Sequence, residues 1–208
     1  MNHLAKPSRP RVFPTAIAVA AALSLAACSG AETAAPPEEP PLAGATIGGE
    51  FELIDSSGET VRWADFDGQY RIVYFGYAYC PDVCPIDVGQ MSRGLKKLGE
   101  SEPGKIAKIQ PIFITIDPER DTPQVVGEFT NAFSKDLMGL TGTPEQVKAA
   151  AGAFRVYYER GEDLGGGQYL MNHSNITYLF GPSGEPLATL PTDQGADAVA
   201  AEIDKWVS

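Results

Sequence analysis

Three side chains in this 208-residue chain are suited to soft-metal or redox chemistry. Cys80 and Cys84 lie in the run Cys-Pro-Asp-Val-Cys-Pro, and this one-turn spacing allows both thiols to face the same way. Two thiolates suit a soft ion such as Cu(I), and His173, far downstream, is a candidate third ligand. A close cysteine pair can equally be a redox switch without a metal. The spacing alone leaves metal binding and pure redox chemistry as alternatives.

The number and spacing of the cysteine and histidine residues argue against two structural roles, a stabilising disulfide and a closed zinc site. A disulfide between Cys80 and Cys84 would close a very small loop and would constrain the unfolded chain little, so the pair indicates chemistry rather than stabilisation. A closed structural zinc site usually needs four cysteine or histidine ligands. Removal of the N-terminal segment described next leaves His173 as the only histidine, so the four ligands of a closed zinc site are not available.

The N-terminus has the features of a targeting segment. Three basic residues precede an apolar stretch at residues 13–27, which is too short for a comfortable membrane span. Residues 25–28 read Leu-Ala-Ala-Cys and resemble the lipobox of bacterial lipoproteins. We therefore expect residues 1–27 to be a lipoprotein signal peptide, Cys28 to be lipidated, and the protein to be anchored to a membrane in the bacterial periplasm. The alternative is an ordinary secretory signal followed by an incidental cysteine.

Composition separates a tether from a folded domain. Residues 28–41 are rich in alanine, proline and glutamate, which predicts a flexible tether, and residues 42–208 form the predicted domain. Loss of residues 1–27 removes three basic and no acidic residues, so the formal net charge changes from −11 to −14. Such an acidic chain argues against nucleic-acid binding, which needs a basic surface.

The order of predicted elements indicates an α/β fold. The pattern joins a strand–helix–strand unit to a β-hairpin and a closing helix, which is compatible with a thioredoxin-like fold: a central mixed sheet flanked by helices, with an N-terminal β-hairpin extension. A flexible loop is expected at residues 165–167. Strands are predicted at 50–55, 60–63, 70–77, 109–116, 175–180 and 186–190, and helices at 87–99, from Thr122, from Thr143 to about 154, and at 196–207.

Four blocks in order along the chain resemble the signatures of the Sco/SenC family. They are Tyr-Phe-Gly-Tyr-Ala-Tyr-Cys-Pro-Asp-Val-Cys-Pro at 74–85, Asp-Pro-Glu-Arg-Asp-Thr-Pro at 117–123, the segments 140–143 and 154–158, and His173 with residues 178–184. The resemblance implies a thioredoxin-like protein that binds copper, as Cu(I) or Cu(II), through Cys80, Cys84 and His173. It also implies a Cys80–Cys84 disulfide in the oxidised state.

The resemblance further implies a copper chaperone for assembly of the binuclear copper site of cytochrome c oxidase. The expected partners are subunit II of the oxidase or another copper chaperone, and the membrane through the lipid anchor. The alternative is a thiol:disulfide oxidoreductase that reduces the cysteines of subunit II. A peroxiredoxin-like thiol peroxidase is a third hypothesis, supported by fold analogy alone. For Asp117 and Asp121 a turn and helix-cap role is favoured over a role as Cu(II) ligands.

Overall fold

The computed structural model describes residues 38–208. The predicted signal peptide, Cys28 and the tether up to residue 37 lie outside the described residues. At the start of the described part, the amide of Leu42 donates to the carbonyl of Leu187 over 3.0 Å, which ties this segment to the domain. Within residues 38–208, no helix has both the length and the apolar character that crossing a bilayer requires.

A mixed sheet of seven strands forms the centre of the fold, and two more strands form a separate hairpin. The strands are β1 Glu52–Asp55, β2 Thr60–Arg62, β3 Tyr70–Gly76, β4 Ile109–Thr115, β5 Met138–Thr141, β6 Tyr158–Gly165, β7 Gln168–His173, β8 Thr177–Phe180 and β9 Pro186–Leu190. Their order in the main sheet is β2-β1-β5-β4-β3-β8-β9. The three middle strands β5, β4 and β3 run parallel, and the flanking strands β1 and β8 pair with them antiparallel.

Five α-helices complete the described fold. Two of them begin at the predicted threonine caps: Thr122 accepts from the amide of Val125, and Thr143 forms a reciprocal capping box with Gln146. The predicted helix at 87–99 is longer than expected at both ends. The helices are α1 Val83–Ser101, α2 Pro103–Ile106, α3 Pro123–Asn131, α4 Pro144–Ala153 and α5 Ala196–Trp206.

The expected thioredoxin-like α/β architecture is confirmed. All seven residues of β3 are buried, because the strand lies inside the sheet with elements packed on both faces. The predicted N-terminal hairpin is β1 and β2, and it joins the edge of the main sheet through pairing of β1 with β5. The short strand β5 was not predicted, since its four residues Met-Gly-Leu-Thr carry too weak a pattern.

A second, two-stranded sheet contains β6 and β7. The sequence predicts a flexible loop at residues 165–167, whereas the structure places these glycines at the turn of this hairpin, with positive φ at all three. The prediction missed the hairpin because β6 reads Tyr-Glu-Arg-Gly-Glu-Asp-Leu-Gly and lacks a buried apolar face. The hairpin positions the candidate ligand His173, which is the last residue of β7.

An aromatic cluster fills one side of the core. Phe154, at the end of α4, is fully buried, and its ring centroid lies 5.3 Å from those of Trp63 and Phe75 and 5.4 Å from that of Phe180. Phe51 completes the cluster, 5.7 Å from Trp63. Such edge-to-face and tilted contacts add to the burial of large apolar areas. The cluster anchors α4 and the N-terminal hairpin to the central strands.

Candidate metal centre

Cys80, Cys84 and His173 come together at one end of the sheet. Their ligand atoms all lie within 4.8 Å of one another, and in the described part of the chain they form the one such group of three or more cysteine, histidine or carboxylate residues. The Sγ atom of Cys84 is 3.3 Å from Nε2 of His173. The group offers two soft sulfurs and one imidazole, and it contains no carboxylate. It could therefore hold a soft metal ion at low coordination number.

The backbone between β3 and α1 positions the two cysteines differently. Helix α1 begins at Val83, so Cys84 is its second residue, while Cys80 lies in the preceding loop. The helix still acts on Cys80, because the free amide of Cys84 donates to the Cys80 Sγ over 3.4 Å. One of the unpaired N–H groups of the first helical turn is satisfied in this way.

Gly76, the last residue of β3, makes room for the buried thiol. A Cβ atom at this position would lie 3.0 Å from the Sγ of Cys84, 2.8 Å from the ring of Tyr74 and 3.1 Å from the ring of Phe113. Glycine is therefore required by close packing here, rather than by its backbone conformation. The consequence is that Cys84 reaches into the core while its sulfur still faces His173.

The histidine is oriented by its own backbone and by two tyrosines. Nδ1 of His173 lies 2.8 Å from the carbonyl oxygen of Ser174, and a carbonyl can only accept, so Nδ1 carries the proton in the neutral ring. Nε2 is then the free acceptor that faces Cys84. The rings of Tyr77 and Tyr74 lie edge-on to the imidazole at 5.9 and 6.4 Å. This arrangement presents one defined ring nitrogen for metal binding.

The two thiols differ strongly in acidity. Hydrogen bonds from the Cys84 thiol and from the backbone amides of Cys84 and Asp82 lower the pKa of Cys80 well below its ordinary value. The same thiol–thiol interaction, together with burial, raises the pKa of Cys84. Cys80 is half-buried and Cys84 has no exposed surface. The resting reduced site is therefore a Cys80 thiolate facing a neutral Cys84 thiol.

This asymmetry predicts selective alkylation of the reduced, metal-free protein. At about pH 6, well below an ordinary thiol pKa of about 8.5, Cys80 remains a thiolate and reacts with iodoacetamide, whereas Cys84 does not. Lowering the pH further slows the reaction of Cys80 less than that of a free thiol, since its pKa is depressed. Mass spectrometry of peptides checks the result, with protein unfolded in urea at about pH 8.5 as the control in which both cysteines react. Equal labelling of the two in the folded protein would contradict it.

Asp117 and Asp121, the two aspartates of the block at residues 117–123, lie near the Cys80–Cys84–His173 group but are not part of it. Asp121 is fully buried, and its Oδ2 accepts from the amide of Ala78 at 2.8 Å and from the hydroxyl of Thr115 at 2.6 Å. Burial raises the pKa of Asp121 to about 6. The cap of α3 is Thr122, so the helix-cap expectation for Asp121 is wrong. Asp117 instead accepts from the side chains of two other residues, Arg120 and Tyr169.

Two residues that the sequence did not single out for chemistry line the site. The buried hydroxyl of Tyr74 donates to Asp87 at 3.1 Å, and Tyr74 also contacts the thiol of Cys84. Asp87 is one turn beyond Cys84 on α1, and burial raises its pKa. The signal available in the sequence was the Cys84–Asp87 spacing on a helix that also carries an apolar face. A polar residue on the buried side of such a helix needs a partner, and Tyr74 supplies it.

Comparison with known proteins identifies relatives over nearly the whole described domain. The family model described as SCO1/SenC matches residues 39–208. Protein SenC of Rhodobacter capsulatus is 45% identical over 140 residues, which are 67% of this chain and 61% of that protein. The human mitochondrial SCO1 homolog is 38% identical over 157 residues, or 76% of this chain and 52% of its own length. The chain thus spans about half the length of the human relative.

A solved structure gives the same fold. The structure described as Bradyrhizobium japonicum ScoI with copper bound superposes with a TM-score of 0.70 at 31% identity, covering 77% of this chain and 99% of that one. Yeast Sco1 with copper bound also gives 0.70, at 34% identity, covering 77% and 88% of the two chains. These two neighbours hold copper, and the fold of the present domain is theirs.

Proposed function

The chain belongs to the SCO1/SenC family, and from this premise we propose that it is a copper chaperone for the binuclear copper site of cytochrome c oxidase. The observation that carries the proposal is the Cys80–Cys84–His173 group, whose ligand atoms lie within 4.8 Å of one another. Copper is the cargo, held by two sulfurs and Nε2 of the imidazole. The copper-bound state of the family's solved members supports the choice of metal.

Copper binding requires that the Cys84 proton leave. Cys80 is already a thiolate in the reduced site, but the raised pKa of Cys84 keeps its proton until the metal competes for the sulfur. Oxidation to a Cys80–Cys84 disulfide removes both thiolates, so copper loading depends on prior reduction of the pair. A three-ligand site leaves room for a partner's thiolate or imidazole to add before the original ligands depart.

Exposure of the ligands indicates the order of release. Cys80 and His173 are partly exposed, whereas Cys84 has no exposed surface. A partner's ligand therefore reaches the copper ion from the side of Cys80 and His173. Cys84 is the last ligand to dissociate from the copper ion, because a partner's side chain cannot approach its buried sulfur directly.

Exposed apolar residues close to the ligands support docking of a protein partner at this face. Tyr79 precedes Cys80 and is 48% exposed, and Ile86 on the first turn of α1 is 53% exposed. Tyr157 pairs with Ser174, the residue after His173, and Ile176 lies in the segment between β7 and β8; they are 57% and 38% exposed. Large apolar side chains in solvent beside a functional centre are typical of interaction surfaces. The proposed partner is subunit II of the oxidase or another copper chaperone.

We also propose where in the cell the domain is held. A lipid on Cys28 would hold the domain at a membrane in the bacterial periplasm, where residues 28–41 would act as the tether. The support for this part is the lipobox-like sequence at residues 25–28. Palmitate labelling of the full chain, abolished by Cys28→Ala, is the direct check.

A second function, thiol:disulfide exchange on the oxidase cysteines, is favoured by the acidity difference between the two thiols. The Cys80 thiolate would attack a substrate disulfide, forming a mixed disulfide and releasing one substrate thiolate. Cys84 would then lose its proton and attack Cys80, so that the substrate leaves reduced and the Cys80–Cys84 disulfide remains. The structure sharpens the trapping test: a stable mixed disulfide should accumulate with Cys84→Ser and not with Cys80→Ser, since Cys80 is the accessible thiolate.

Complementation in the native host separates the two functions. Deletion of the gene should lower cytochrome c oxidase activity, and for copper delivery the activity should recover with added copper or with the wild-type gene. The His173→Ala gene should fail to restore activity, whereas Asn172→Ala, a change at the exposed neighbouring residue, should restore it. Full restoration by His173→Ala would reject copper delivery and leave thiol exchange as the function.

A further inference from the structure

The hairpin that carries His173 is attached to the domain at few points. Strands β6 and β7 form a sheet of their own, separate from the seven-stranded sheet. Within these two strands, which the structure describes throughout, Tyr169 is the only buried residue, with 7% exposure. His173, Met171 and Tyr158 are only partly buried. The position of His173 therefore depends on how Tyr169 is held.

Asp117 and Arg120 hold Tyr169 in place. We call these three residues the clamp. The Tyr169 hydroxyl donates to Asp117 Oδ1 at 2.7 Å, and Arg120 Nη1 donates to the backbone carbonyl of Tyr169 at 2.8 Å. The Arg120 guanidinium lies 3.5 Å from the centroid of the Tyr169 ring, and its Nε donates to Asp117. A buried charge-assisted bond and a cation–π contact thus converge on one side chain.

Strand geometry transmits this hold to the metal ligand. Side chains at alternate positions of a strand share one face, so Tyr169, Met171 and His173 of β7 point the same way. A slip of one residue would turn all three away from the domain. The pairing of β6 with β7 is irregular between Arg160 and Gly165, so regular pairing does not fix the register near the turn. Tyr169 supplies an anchor in the part of β7 that faces this irregularity.

The clamp also connects to the loop that carries Cys80. The amide of Asp117 donates to the hydroxyl of Thr115 at 2.9 Å, and that hydroxyl donates to Asp121. Asp121 in turn accepts from the amide of Ala78, two residues before Cys80. A continuous set of buried hydrogen bonds therefore links the anchor of the histidine strand to the backbone of the cysteine loop. Such buried networks fix relative positions because each lost bond leaves an unpaired polar group.

We infer that Tyr169 is a positioning residue, which through the clamp holds β7 so that Nε2 of His173 faces the cysteines before any metal arrives. This inference rests on the proposed copper site and adds a residue that acts through His173 without touching the metal. Its effect on copper binding should disappear when His173 is absent. That dependence distinguishes it from a general contribution to folding.

The test is a thermodynamic cycle measured by copper(I) competition titration of the reduced domain. Tyr169→Phe removes the hydroxyl but keeps the ring, and it should weaken copper binding about 10-fold, the lower end of the effect of losing an outer-shell partner. Tyr70→Phe, which removes a hydroxyl that is hydrogen-bonded to Ser208 at the opposite end of β3 from the site, is the matched control and should leave affinity unchanged. Circular dichroism verifies that each variant is folded.

The decisive comparison is made in the His173→Ala background. The double variant Tyr169→Phe/His173→Ala should bind copper as well as His173→Ala alone, because the positioned ligand is already gone. An equal loss in both backgrounds would overturn the inference, and so would an unchanged affinity of Tyr169→Phe in the wild-type background.

A copper-free measurement keeps this inference separate from the proposed function. His173 is the one histidine of residues 38–208, and Nε2 faces the buried thiol, so its carbethoxylation by diethyl pyrocarbonate should be slow in the reduced protein. Tyr169→Phe should raise the rate toward that of a free histidine, and Tyr70→Phe should not. If wild type bound no copper, the proposed function would fail while this result still supported the clamp. Identical rates in wild type and Tyr169→Phe would overturn the clamp even where copper binds.

Discussion

Replacing Cys84 by serine is expected to lower the copper affinity of the reduced domain by at least about 100-fold. Structural metal sites gain about 10–16 kcal/mol from four ligands, so one ligand contributes about 3 kcal/mol, which corresponds to about 100-fold. The serine hydroxyl is a hard donor that stays protonated, and it occupies a fully buried position beside Gly76. A ligand from solvent cannot take its place there. Copper(I) competition titration with a chelator of known affinity measures the loss.

The matched control for this change lies between the two cysteines. Asp82 is exposed, and Asp82→Ala should change the affinity by no more than about 2-fold, as expected for a surface substitution worth about 0.5 kcal/mol or less. Cys80→Ser should resemble Cys84→Ser in copper affinity while differing from it in the trapping of mixed disulfides. Wild-type copper affinity in Cys84→Ser would show that the buried sulfur of Cys84 is not a copper ligand.

Replacing Phe154 by alanine is expected to destabilise the domain by about 3–5 kcal/mol. The fully buried ring contacts Trp63, Phe75 and Phe180, and its loss leaves a cavity where α4 meets the central strands. Because typical domains are stable by only about 5–15 kcal/mol, this is a large share of the total. Urea unfolding monitored by tryptophan fluorescence measures the change, since Trp63 belongs to the same cluster.

An exposed apolar residue provides the comparison for Phe154. Leu164 in the hairpin is 56% exposed, and Leu164→Ala should change the free energy of unfolding by no more than about 0.5 kcal/mol. Equal destabilisation by the two substitutions would show that the aromatic cluster does not stabilise the fold as described.

The three residues of the candidate site were predictable from the sequence for chemical reasons. Cysteine and histidine are rare in this chain, and two of the three cysteines fall within one short motif after a strand of seven residues that the structure buries completely. His173 stood out because the chain has only two histidines. Their spatial meeting depends on the antiparallel pairing of β3 with β8, and the sequence indicates each strand without indicating that pairing.

The supports of the site were less accessible to prediction. Hairpin β6–β7 has an almost wholly exposed first strand, so the usual alternation of apolar residues is absent. The role of Tyr169 depends on contacts with residues about 50 positions earlier in the chain, Asp117 and Arg120. Asp121 looks like a cap because it precedes Thr122, and only the packed structure reveals that its carboxylate turns inward to the backbone of the cysteine loop. Non-local polar contacts of this kind leave no local periodicity.

Copper X-ray absorption spectroscopy of the reduced domain loaded with one equivalent of Cu(I) tests the central claim most directly. The account predicts two sulfur ligands and one nitrogen ligand per copper ion, with loss of the nitrogen in His173→Ala and its retention in Asn172→Ala. A first shell without sulfur, or one identical in wild type and His173→Ala, would contradict binding by Cys80, Cys84 and His173.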